Sequence, residues 1–149
     1  MKKIILFALT LILAACSQGV SAELDQNIEK WERANASHYS YTLFISCFCA
    51  FTEDMPLTIE VKDDQAVSIT RADGSLVDPG DPALETYNQY STIDRIFSEL
   101  QADLNGGADE VIVTYDATYG HPLTIAIDHI KEAIDDEISL EISNFAVLE

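Results

Sequence analysis

The sequence predicts an α+β fold, an antiparallel sheet with two helices on one face. Three observations carry this expectation. Between Val111 and Phe145, three apolar runs alternate with polar residues: Val111-Val113-Tyr115, Leu123-Ile125-Ile127 and Ile138-Leu140-Ile142. Strand side chains point to alternate faces, so each run buries one face and wets the other, as in a three-stranded meander. A second alternating set lies within residues 39–70, and each set follows a stretch with apolar residues at helical spacing.

Met1-Lys2-Lys3 is basic, Ile4 to Leu13 is apolar but too short to span a bilayer as a mature helix, and Leu13-Ala14-Ala15-Cys16 places small residues before a cysteine. This arrangement resembles the lipobox of a bacterial lipoprotein signal peptide. The resemblance implies removal of residues 1–15, a thioether from Cys16 to diacylglycerol and a fatty acid such as palmitate on its amine. Each buried methylene adds roughly 0.8 kcal/mol, so several chains anchor firmly. The alternative is an ordinary secretory leader with a chance cysteine. Ser17 rather than Asp follows Cys16, which resembles the outer-membrane sorting pattern of Gram-negative lipoproteins and implies a domain facing the periplasm. Residues 16–23 then read as a lipidated tether, small and polar, and 24–149 as one domain.

In that domain, Leu24, Ile28 and Trp31 share one helical face, with Trp31 as a core anchor. Tyr39 to Cys49 alternates strongly and is rich in aromatic and β-branched residues, which predicts a strand. Pro56 introduces a second strand, Leu57 to Lys62, and Asp63-Asp64-Gln65 turns it into a third, Ala66 to Thr70. Ala72 to Tyr90 holds Gly74, Pro79, Gly80 and Pro82 and reads as a long loop, functional or mobile. Ser91 or Thr92 caps the next helix, whose stripe is Ile93, Ile96, Phe97, Leu100 and Leu104 and whose end is Gly106-Gly107. The meander follows, with Gly120 and Pro122 in its first turn and Asp135-Asp136 in its second. Helix-then-three-strands thus occurs twice, with Leu57-Thr58-Ile59-Glu60-Val61 answering Leu123-Thr124-Ile125-Ala126-Ile127. Two such units can join edge to edge into one sheet. The order is similar to the tandem β-lactamase-inhibitor-protein fold and to some small outer-membrane assembly lipoproteins, an analogy of fold that carries no activity.

With 8 basic and 26 acidic residues the formal net charge is −18, and loss of Lys2 and Lys3 with the leader makes it more negative still. Such a surface repels phosphate backbones and anionic headgroups. Nucleic acid is therefore not an expected partner, and membrane association is expected through the N-terminal lipid alone.

Trp31, Tyr39-x-Tyr41, Cys47-x-Cys49, the run Val113-Thr-Tyr-Asp-Ala-Thr-Tyr-Gly-His-Pro122, Ile125, Ile127-Asp128 and Asp135-Asp136-Glu137 together resemble a bacterial family known as domain of unknown function 6174, mostly lipoproteins or secreted proteins. The most specific part is the Tyr-Asp…Tyr-Gly-x-Pro segment, in which His121 stands where the family leads one to expect an aromatic such as Tyr. The resemblance implies fold and location and no activity.

Several residues are candidates for chemistry. Cys47 and Cys49 are the thiols left once Cys16 is lipidated. An oxidising compartment favours a disulfide. On an extended strand their Cα atoms lie roughly 6.6 Å apart, the edge of disulfide geometry, so a bulge or turn at Phe48 is required. The other readings are two core thiols or a soft-metal pair, which lacks further ligands. The loop Tyr115-Asp116…Tyr119-Gly120-His121-Pro122 is the candidate binding or structural loop: Asp116 suits a turn acceptor and Gly120 a positive φ, while Asp116 with His121 is the alternative acid–base pair. No nucleophile motif accompanies that pair. His38 and His129 read as isolated surface residues. Asp73-Gly74-Ser75 and Asp78-Pro79-Gly80-Asp81 are oxygen-rich but lack the EF-hand pattern, so no metal and no cofactor is assigned.

These readings converge on a lipid-anchored envelope protein that binds or scaffolds an envelope protein partner without catalysis. The alternatives are a periplasmic thiol or metal protein using Cys47-Phe48-Cys49 and a small hydrolase.

Overall fold

The computed structural model describes residues 15–149, and the expected leader lies outside them apart from its last residue. The elements run α1 (Ala15–Ala34), β1 (His38–Ser46), a 3-10 turn (Thr52–Asp54), β2 (Leu57–Lys62), β3 (Gln65–Thr70), α2 (Leu84–Gln89), α3 (Ile93–Ala102), a π-type turn (Asp103–Gly107), β4 (Glu110–Tyr115), β5 (Pro122–Asp128) and β6 (Ile138–Val147). All six strands form one sheet in the order β3-β2-β1-β6-β5-β4, and every pairing is antiparallel. The two meanders meet where β1 pairs with β6, placing these two strands at the centre of the sheet.

The alternation fixes which face is covered. Tyr39, Tyr41, Leu43 and Ile45 of β1, Leu57, Ile59 and Val61 of β2, and Ile125, Ile127, Leu140 and Ile142 of the second meander are all buried. The helices close over this face. Trp31 of α1 meets Tyr39 edge-on at 5.2 Å, the Ile93 amide of α3 donates to the Tyr39 hydroxyl at 3.1 Å, and the Tyr41 hydroxyl donates to the Tyr90 carbonyl just after α2 at 2.6 Å. The indole N–H of Trp31 donates to Asp94, tying α1 to α3. Burying a large apolar side chain contributes roughly 1.5–3 kcal/mol, so this layer supplies most of the stabilisation. Among the described residues no helix covers the opposite face, where Phe44 and Ile112 are 40 % and 59 % exposed.

Local chemistry explains the boundaries. Asn35 takes a left-handed conformation (φ 48°) and ends α1. Asp63 and Asp64 both have positive φ, the two-residue hairpin that matches strand twist. The Thr92 side chain accepts from the Arg95 amide and caps α3, and Gly106, at φ 110°, stops the turn after it.

Four expectations are corrected. Residues 17–23, read as a tether, are helical and continuous with α1. β1 ends at Ser46 rather than Cys49, because the chain bends at Cys47 and Phe48. The stretch 72–90 contains α2, and Arg71 holds much of the rest: it pairs with Asp54 and Asp81, and donates to the Leu76 carbonyl at 2.9 Å. The Tyr87 hydroxyl adds a bond to Asp54, so this segment is tied to the 3-10 turn rather than hanging free. His38 and His129 are not isolated: His38 donates to Glu60 at 2.9 Å, and His129 lies 3.6 Å from Asp103 and donates to the Asp136 carbonyl.

Candidate functional site

The C-terminal meander has two ends, and the candidate residues divide between them. At one end the β4–β5 turn carries Tyr115 to Pro122. Asp116 Oδ1 accepts from the Thr118 and Tyr119 amides, and the Asp116 amide donates to the His121 carbonyl at 2.8 Å. Gly120 has φ 82°, and a Cβ there would lie 2.7 Å from the Asn27 carbonyl oxygen of α1. Only glycine allows the turn to lie so close to the helix. Lys30 of α1 donates to the Ala117 carbonyl at 3.2 Å. His121 is 3 % exposed; its ring sits 4.4 Å from Phe145 and 6.4 Å from Trp31, and Nδ1 donates to the Pro122 carbonyl. Tyr119 packs on His121 and Phe145. The Tyr115 hydroxyl is buried without a hydrogen-bond partner among the described residues, and burial, with Glu23 adding, pushes its pKa up to about 12.

Asp116 and His121 therefore touch through backbone groups, while their side chains serve the turn and the aromatic cluster. The acid–base alternative has no geometry here, since a base needs its proton partner within hydrogen-bond reach. The motif as a whole is present and in place. Its family model matches residues 23–147, nearly all the described chain.

The chain belongs to the DUF6174 family, a family of unknown function. Comparison with curated proteins and with solved structures gives no match. In this DUF6174 chain the signature turn joins the sheet to α1.

The other end is open. Strand register sets Ile112 beside Ala126, Ala126 beside Ser139, and Ser139 beside Ser46, one row across four strands on the helix-free face. The small residues at the middle of this row leave a groove of about 560 Å³, bounded by Ile112 on one side and Cys47-Phe48 on the other. A smaller depression of about 340 Å³ continues along the same face past Thr124 and Glu141 to Phe44. Phe48 is 86 % exposed. Glu110, Asp128, Asp135 and Glu137 also line the groove. Asp128 Oδ1 and Asp136 Oδ1 are shielded from water and have no hydrogen-bond partner among the described residues. Burial, then the charges of Asp136, Glu137, Asp109 and Glu110, raises the Asp128 carboxyl above its ordinary range.

Cys47 lines this groove and lies at disulfide distance from Cys49, Cα–Cα 5.2 Å, on the bend that ends β1. Cys16 lies in the first turn of α1. Asp73 and Asp81 engage the Ser75 and Ala83 amides in turns, and Asp81 also pairs with Arg71. Among the described residues no three His, Cys, Asp or Glu side chains are grouped to hold a metal ion. The groove gives no local sign in the sequence, because its row joins residues far apart in the chain.

Proposed function

We propose that this protein is held at a bacterial envelope by a lipid on Cys16 and recognises a partner through the helix-free face of its sheet, without transforming it. The uncovered groove between Ile112 and Phe48 is the observation that carries recognition. Apolar side chains left in water beside a preformed concavity are what binding faces provide. The inward-turned Asp116 and His121 weigh against hydrolysis by that pair. Lipid attachment rests on Leu13-Ala14-Ala15-Cys16 after an apolar run and a basic start.

Two experiments test the two halves of this reading. Cells fed radiolabelled palmitate incorporate label into the parent chain and not into Cys16→Ala; equal labelling of both, or of neither, rejects the anchor. Affinity capture from envelope extract recovers a defined partner with the parent chain, and recovery is lost with Ile112→Asp; capture indifferent to that change rejects the face.

A further inference from the structure

Building on the recognition reading above, we infer that the groove takes a basic, amphipathic polypeptide segment, its apolar side chains against Ile112, Ala126 and Phe48 and its cationic groups against Asp128, Asp135 and Glu137. Apolar or small side chains such as Ile112, Ala126 and Phe48 line the groove together with acidic ones, so one ligand can satisfy both only if it is itself two-sided. The nearest cation already has a partner: Lys131 pairs with Glu110 at 3.3 Å, and its amide donates to Asp109. His129 is directed to Asp103. Glu137 adds to the repulsion on Asp128, and among the described residues Asp128 Oδ1 has no hydrogen-bond partner. An incoming Lys or Arg relieves that repulsion.

Charge selects among the alternative occupants. A second copy of the chain would bring a like acidic rim against this one, and an anionic lipid surface would be repelled. A purely apolar ligand would leave the carboxylates further desolvated and unpaired.

The test uses the full chain in zwitterionic lipid nanodiscs at about 150 mM salt, a concentration that screens exposed charges beyond about 8 Å. Empty discs serve as the blank. The probes are two fluorescent decapeptides, one alternating Lys with Leu and one alternating Glu with Leu. The Lys-Leu peptide binds and the Glu-Leu peptide does not. The triple change Asp128→Asn, Asp135→Asn, Glu137→Gln weakens Lys-Leu binding by about tenfold or more, the scale of close charge pairs at interfaces. The matched triple on α1, Asp25→Asn, Glu29→Gln, Glu32→Gln, removes the same charge and changes binding less than about twofold. Ile112→Thr, an exposed change, weakens it several-fold. Equal weakening by the two triples, equal binding of both peptides, loss through self-association, or no binding by the parent chain each overturn the inference. If the Lys-Leu peptide fails while envelope capture still depends on Ile112, recognition stands and the cationic assignment falls.

Discussion

At one end of the β4–β5–β6 meander the turn 116–121 folds inward; at the other, the connection 129–137 leaves its carboxylates turned to a groove. Both ends contain Asp and both contain a positive φ, at Gly120 and at Asp135. In the first, one Asp oxygen accepts two amides, a Gly meets the backbone of α1, and His121 sits inside an aromatic cluster. In the second, Asp136 Oδ2 bonds the Ile130 amide while its other oxygen and one oxygen of Asp128 have no partner. The residue types do not distinguish a structural turn from a recognition site. Whether their carboxylate oxygens are satisfied does.

The largest expected effect is at the closed end. Gly120→Ala forces a side chain into a left-handed conformation and against the Asn27 carbonyl. With roughly 1–2 kcal/mol for the backbone and 1–3 kcal/mol for overpacking, a loss of about 3 kcal/mol is expected in urea unfolding. A loss below about 1 kcal/mol would mean that α1 is not held by this contact.

A smaller contrast lies between two aspartates. Asp116→Ala removes the acceptor of two turn amides and is expected to cost about 1 kcal/mol, as for a lost helix cap. Asp135→Asn keeps a residue that tolerates positive φ and is expected to change stability by no more than about 0.5 kcal/mol. Equal losses at the two sites would erase the distinction between the ends.

The smallest effect has the opposite sign. The raised Asp128 carboxyl means that the folded state disfavours the charged form, so ionisation of this group lowers stability above its folded pKa. Asp128→Asn is therefore expected to raise Tm at neutral pH. The advantage shrinks as pH falls through the folded pKa and is gone below about 3.9, where the unfolded carboxyl also protonates. A variant less stable than the parent at neutral pH would show Asp128 to be stabilising instead.

Much of the architecture was legible because strand alternation is local. Leu57 to Val61 and Leu123 to Ile127 each announce their inward face within five or six residues, and the covered face follows. The overrun of β1 to Cys49 has the same origin: the alternation continues in Cys47 and Cys49 although the chain has bent at Cys47 and Phe48. α2 was hidden behind Pro79, Gly80 and Pro82 and is a six-residue helix with Tyr87 as its buried residue. Arg71 gave no local sign that it would pair with both Asp54 and Asp81. The closed turn was readable from Asp116 and Gly120 alone. The groove was not, since it depends on the register that sets Ile112, Ala126, Ser139 and Ser46 in one row, and β1 and β6 lie near opposite ends of the sequence.

The central claim is that the open end of the meander meets a partner and the closed end does not. A photo-crosslinking amino acid placed at Ile112 and, separately, at exposed Thr118 tests it in cells making the full chain. The account predicts a discrete higher-mass adduct from position 112 and none from 118. Adducts from 118 alone, from both positions equally, or from neither would contradict it.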